Sequence, residues 1–309
     1  MNPEVAANLK RAERLEWLTI GWMASVLAVM TLAAGGSAAF ATALIEDWLS
    51  LVPAIVFLIA VRLERKGPTR RFSFGFHRVN SLAFLIAAVA LFFVGGLLLF
   101  EPLMTLAKAE HPTIAPVSVF GQQVWAGWVM IAALAYSVVP PFVLGRMKQP
   151  VAKALHDKVL HTDALMQRGD WMTGLAGIVG ILGVGFGYWW ADATAASFIA
   201  FSVVQDGIRS LRIAAAELID GAPRAIDSDE IAPDAQAVHN WLTAQFPDAR
   251  IELRETGRYV RAVVVGAEPP QDFDKDEADI PGLTDRWRLE RVSFSPSAPS
   301  QPARSRSVG

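Results

Sequence analysis

Four side chains in two apolar stretches have the chemistry and the spacing to hold a metal ion between them. Glu46 and Ser50 stand four residues apart in the apolar run 37–62, and Met166 and Asp170 repeat that spacing in the run 158–187. In a helix, this spacing projects both members of a pair from one face, about one turn apart. Two carboxylates with two weaker donors, brought together by packed helices, supply anionic oxygen in place of a divalent cation's lost hydration and offset its charge. Protons compete for the same carboxylates, so occupancy of such a site depends on pH. An acid inside an apolar segment of membrane length is costly, which favours a functional role for Glu46 and Asp170. The structural alternative is an interhelical hydrogen bond that ties the two segments together.

Other polar residues lie along the same path. Asp163 precedes Asp170 by seven residues, on the same helical face and about 10 Å nearer the start of the segment. It is a candidate relay towards the site, or else a partner for Arg168 or Lys158. His161 and His156 sit at the mouth of that path, where ordinary interfacial roles compete with a part in ion movement. Asp47 points about 100° away from Glu46, so it is a candidate for the path more than for the ligand set. Met166 and Ser50 are weak donors, and each has a bland reading as core filler or as a backbone-bonded serine.

The elements that must position these residues are six helices, at 15–34, 37–62, 79–106, 122–145, 158–187 and 190–216, each close to the roughly 20 residues that cross a bilayer. A 53% apolar content, concentrated before residue 220, supports a membrane protein over a soluble one. Basic residues collect at one set of ends: Lys10, Arg11 and Arg14; Arg62, Arg65, Lys66, Arg70, Arg71 and Arg78; Arg146, Lys148, Lys153 and Lys158; Arg209, Arg212 and Arg224. That asymmetry places both termini in the cytoplasm. The first apolar stretch is read as a retained helix, Pro140-Pro141 should kink or interrupt the fourth, and residues 107–121 read as an irregular loop.

The chain divides into a cytoplasmic N-terminus at 1–14, a membrane domain at 15–220, a cytoplasmic C-terminal domain at 221–296 and a disordered tail at 297–309. Within the C-terminal domain, residues 228–246 show one apolar face at helical spacing, and 250–255 and 259–266 read as strands joined as a hairpin at Thr256-Gly257. A last strand spans 287–294, with ambiguous facing. The absence of cysteine excludes disulfides and thiolate chemistry, and a net charge of −2 disfavours nucleic acid as a partner. No nucleotide-binding, zinc-protease or serine-hydrolase motif occurs in a suitable context, so the chain is not expected to be an enzyme and needs no cofactor.

The sequence resembles the cation diffusion facilitator (cation efflux) family. The resemblance is carried by Gly36-Ser37, by Arg71-Phe72-Ser73-Phe74-Gly75-Phe76-His77-Arg78, by Trp190-Ala191-Asp192 and by Leu218-Ile219-Asp220-Gly221-Ala222-Pro223, in that order. It implies an all-α bundle of six transmembrane helices followed by a small cytoplasmic α+β domain of metallochaperone-like fold, here trimmed of a second helix. It further implies a proton-coupled exporter of a divalent metal such as zinc, manganese or iron, working by alternating access in a bacterial inner (plasma) membrane. The partners it implies are the metal cation, protons, the lipid bilayer and a second copy of the chain. Ungapped alignment puts the family's ligand positions at Glu46 and Ser50 on the second helix and at Met166 and Asp170 on the fifth. One carboxylate stands on each helix, while the usual Asp is Ser50 and the usual His is Met166. That departure keeps a second reading open, a transport-inactive relative that acts as a membrane scaffold or regulatory partner.

Overall fold

The computed structural model describes residues 3–33, 48–109, 116–119, 122–188, 190–271, 273–276 and 278–296. The chain forms two compact units, Met1–Ala215 and Ala216–Gly309.

The first unit is a helical bundle. Its helices are α1 (Pro3–Ala33), α2 (Val52–Glu64), α3 (Arg78–Ala107), α4 (Ala126–Leu155), α5 (Lys158–Gly185) and α6 (Ala191–Leu218). Helix α1 begins well before the apolar run at 15. Val5, Leu9, Ala12 and Leu15 recur at helical spacing and are buried, while Lys10, Arg11 and Arg14 face outward. Helix α4 likewise runs ten residues past its expected end at 145 and passes through Pro140, Pro141 and Pro150 without interruption. The expected irregular loop at 107–121 holds β1 (Pro116–Val119), which pairs antiparallel with β2 (Gln122–Trp125), so α4 starts later than 122. Among the described residues one helix, α3, is by itself long and apolar enough to cross a membrane. Large apolar side chains nonetheless face outward on other helices too, among them Val139, Val179 and Phe198.

Helices α4 and α5 form a tight antiparallel hairpin. His156 ends α4 in the left-handed conformation, with φ of 48°, and the amide of Asp157 bonds back to the Ala152 carbonyl at 2.9 Å. Asp157 then caps α5, its Oδ1 accepting from the Leu160 amide at 2.9 Å and its Oδ2 from Asn80 Nδ2 of α3 at 3.0 Å. Small residues let the two helices approach along their length: an added Cβ at Gly174 would lie 2.5 Å from Val138, and one at Gly177 would lie 3.2 Å from Leu134.

The second unit carries α7 (Pro233–Gln245) and a three-stranded sheet of order β3–β4–β5, with β3 at Arg250–Thr256, β4 at Tyr259–Val265 and β5 at Leu289–Ser295. Strands β3 and β4 pair antiparallel across a turn at Gly257 and Arg258, where Gly257 has φ of 62° and supplies the left-handed backbone. Strand β5 runs parallel to β4, which requires the long connection through 266–288. Val238 and Leu242 of α7 pack with Ala262, Val264, Ile280 and Leu289 into one apolar core. Among the described residues this unit has no second α-helix.

Candidate functional site

Glu46 and Asp47 lie outside the described residues. Ser50 is buried just before α2. Met166 is 1% exposed on α5 and packs in an apolar cluster with Ala90, Leu91 and Val94 of α3 and Val203 of α6, against which Leu49 and Val52 also rest. The cluster thus brings the start of α2 to the middle of α5. Around the thioether, however, it is a hydrocarbon environment.

Asp170, one turn further along α5, has different surroundings. It is half-buried and lines a cavity of about 480 Å³ walled by five helices. Trp22 of α1, Glu101 and Thr105 of α3, Ser137 of α4, Thr173 of α5 and Ala193 of α6 share that lining. Two carboxylates, Asp170 and the exposed Glu101, and three hydroxyls thus line one open cavity, and oxygen is the donor type that hard cations take. Glu101 was not among the residues singled out by spacing, although Thr105 stands four residues further along α3. Its signal is simpler: it is an acid inside an otherwise apolar helix of membrane length.

Asp163 has a partner that spacing did not suggest. Neither Arg168 nor Lys158 takes that place: Lys148 of α4 does, and its ammonium donates to Asp163 Oδ2 and also to Glu16 Oε2 of α1 at 2.9 Å. All three side chains are 0% exposed. Gln167 closes the group, its Nε2 donating to Thr19 Oγ1 at 3.0 Å and to Asp163 Oδ2 at 3.3 Å. Arg168 instead reaches Asp206 of α6 at 2.5 Å. Lys148, read from the sequence as one of the connection's exposed basic residues, is therefore an interior residue of a longer α4. His161 sits half-buried in the first turn of α5, its amide bonded to the Asp157 carbonyl at 3.1 Å.

Residues 18–219, more than half of the chain, match the family model described as the cation efflux transmembrane domain. The chain is 25% identical over 276 residues to the zinc transporter ZitB of Escherichia coli, covering 84% of this chain and 80% of that protein. It is 27% identical over 258 residues to a Mycobacterium tuberculosis protein named "Probable cation efflux system protein", covering 79% of this chain and 72% of the relative. A shorter stretch, 81 residues at 37% identity, matches the mouse protein named "Probable proton-coupled zinc antiporter SLC30A4", over 26% of this chain and 16% of that one. The outward apolar side chains of the bundle accord with a transmembrane domain, and the chain belongs to the cation efflux, or cation diffusion facilitator, family.

Proposed function

We propose that the protein is a secondary transporter that carries a divalent metal cation out of the cytoplasm in exchange for protons, by alternating access. The observation that carries this reading is the placement of Asp170 on an oxygen-lined cavity within the bundle, shared with Glu101. In this reading all six helices span the bilayer, residues 15–220 form the membrane domain, residues 221–296 form a cytoplasmic domain, and both termini face the cytoplasm. The metal is cargo and not a resident cofactor. Asp170 supplies a charged ligand, Glu46 and Ser50 approach from the second helix, and Glu101 adds a carboxylate from α3. The names of the zinc-transporting relatives support zinc as a substrate, and an oxygen-rich lining admits manganese or iron(II) as well. The functional unit is a homodimer, as is usual in this family.

One observation favours the second reading, a scaffold or regulatory partner without transport: Met166, at a usual ligand position, is packed in hydrocarbon. Reconstitution in liposomes with a pH-sensitive dye inside separates the two. Asp170→Ala and Glu46→Ala should each abolish metal-dependent proton flux that the unaltered protein supports. Flux that is unchanged in both variants refutes the assigned site, and no flux from the unaltered protein with zinc, manganese or iron(II) leaves the scaffold reading standing.

A further inference from the structure

The group formed by Glu16, Lys148, Asp163 and Gln167 does not balance. Two carboxylates face one ammonium at zero exposure, so with every group ionised a full negative charge is left over inside the bundle. Among the described residues no second cation lies within ion-pair distance of either carboxylate. The other charge that acts on Glu16 is again negative, Asp157 of α5, already held by the Leu160 amide and Asn80. Arg65, which follows α2, pairs with Glu13 of α1 at 2.8 Å. Burial of an uncompensated charge costs several kcal/mol, and proteins usually avoid it by changing protonation.

The hydrogen bonds are unbalanced in the same direction. Glu16 Oε1, Asp163 Oδ1 and Gln167 Oε1 are all buried, and none has a donor among the described residues. All three are acceptors, and each buried acceptor without a donor costs about 1–3 kcal/mol. The two hydrogen bonds that the Lys148 ammonium donates go to the opposite oxygens of the same two carboxylates, Glu16 Oε2 and Asp163 Oδ2. The cluster therefore lacks one positive charge and holds more acceptors than donors, and a single proton offsets the charge and adds a donor.

We propose that this cluster is a proton-binding site in its own right, holding one proton on the Glu16–Asp163 pair beside the Lys148 ammonium. The proton is taken from solvent and forms an O–H bond on one carboxyl oxygen. That hydroxyl then donates to an orphaned oxygen of the neighbouring carboxylate or of Gln167, and the cluster becomes neutral. The site joins α1, α4 and α5, and it stands one turn or more from Asp170 on α5, so it binds its proton without using the metal ligands. This rests on the cluster's own geometry and is tested in the absence of metal, so it can fail while the transport reading stands, or the reverse.

The test is infrared spectroscopy of the full-length protein in lipid nanodiscs at neutral pH, free of metal, with exchange into heavy water. The expected spectrum contains a carboxylic-acid carbonyl band that is lost in Glu16→Gln and equally in Asp163→Asn, because either change leaves Lys148 with one ionised partner and no need of a proton. Lys148→Met carries the opposite sign: two carboxyls without a cation should both be protonated, and the band should double. If Glu16→Gln does not give a monodisperse protein, Asp163→Asn and Lys148→Met still decide the matter. A band that is missing from the unaltered protein, or that none of the three substitutions alters, overturns the proposal and identifies the cluster as an ion pair bridged by buried water.

Discussion

Replacing Gly207 by alanine should weaken the bundle although it adds only a methyl group. Gly207 lies on α6 where that helix crosses α3, and a Cβ placed there would stand 2.7 Å from Cα and 2.9 Å from the amide nitrogen of Phe92. The blocking atoms are backbone, so no rotamer change relieves the contact. Ordinary contact begins near 3.4 Å, and the two helices must part by about 0.7 Å at their closest point, which also loosens Gly95 against Val203 and Val204. Overpacking of this kind costs about 1–3 kcal/mol. The alanine returns about 1 kcal/mol of helix propensity, so the net loss is up to about 2 kcal/mol. The control is on the other helix of the same crossing: Gly96 has nothing within 4 Å of an added Cβ, and Gly96→Ala should be neutral or stabilising. Thermal unfolding in one detergent, followed by tryptophan fluorescence, compares the two. Equal melting temperatures for Gly207→Ala and Gly96→Ala would refute the backbone-to-backbone crossing.

The cavity gives a second test: Glu101→Gln should slow metal-driven proton flux less than Asp170→Ala does, and a flux unchanged by Glu101→Gln would remove α3 from the ion site. In the small unit, Arg288 is buried between Asp234 at 3.1 Å and Glu255 at 3.4 Å. Arg288→Met takes a buried cation away from two buried acids and should cost on the order of 3–5 kcal/mol, read as an early transition of that unit in urea unfolding of the full chain. Asp157→Ala removes both the cap of α5 and the partner of Asn80. It should lower stability by on the order of 2–3 kcal/mol, and Asp157→Asn, which keeps an acceptor for Leu160, should lower it less; equal losses in thermal melts would count against the cap.

Local pattern was enough to reveal the helices and the β3–β4 hairpin, because apolar runs and a Thr-Gly turn act within a few residues of themselves. Long-range pairing was not legible in this way. Strand β5 finds its parallel place beside β4 only through the core that Ile280 and Leu289 share with α7, so its facing could not be read from its own alternation. The end of α4 was misplaced because Arg146, Lys148 and Lys153 look alike as letters, yet the helix turns Arg146 and Lys153 outward and Lys148 inward. At the site, Asp170 was legible from its depth in an apolar run. Met166 shares its helical face but meets α3 and α6, and no spacing rule foretells which neighbour a side chain meets. Glu101 carried the same depth signal as Asp170 and, with Thr105 four residues on, the same spacing as Glu46 and Ser50.

The two bonds of Lys148 also differ in how far along the chain their partners lie. Asp163 is 15 residues away, across the turn at His156, whereas Glu16 is 132 residues away. In the proposed reading, in which all six helices span the bilayer, the fourth and fifth enter it during synthesis as one hairpin with the ammonium already matched by Asp163, so the pair crosses without a net charge. The first helix, made long before, must hold Glu16 protonated or at the membrane surface until that hairpin arrives. Assembly of the bundle is thus ordered by this one lysine, and a chain that lost it would be expected to show the defect in membrane insertion before showing it in transport.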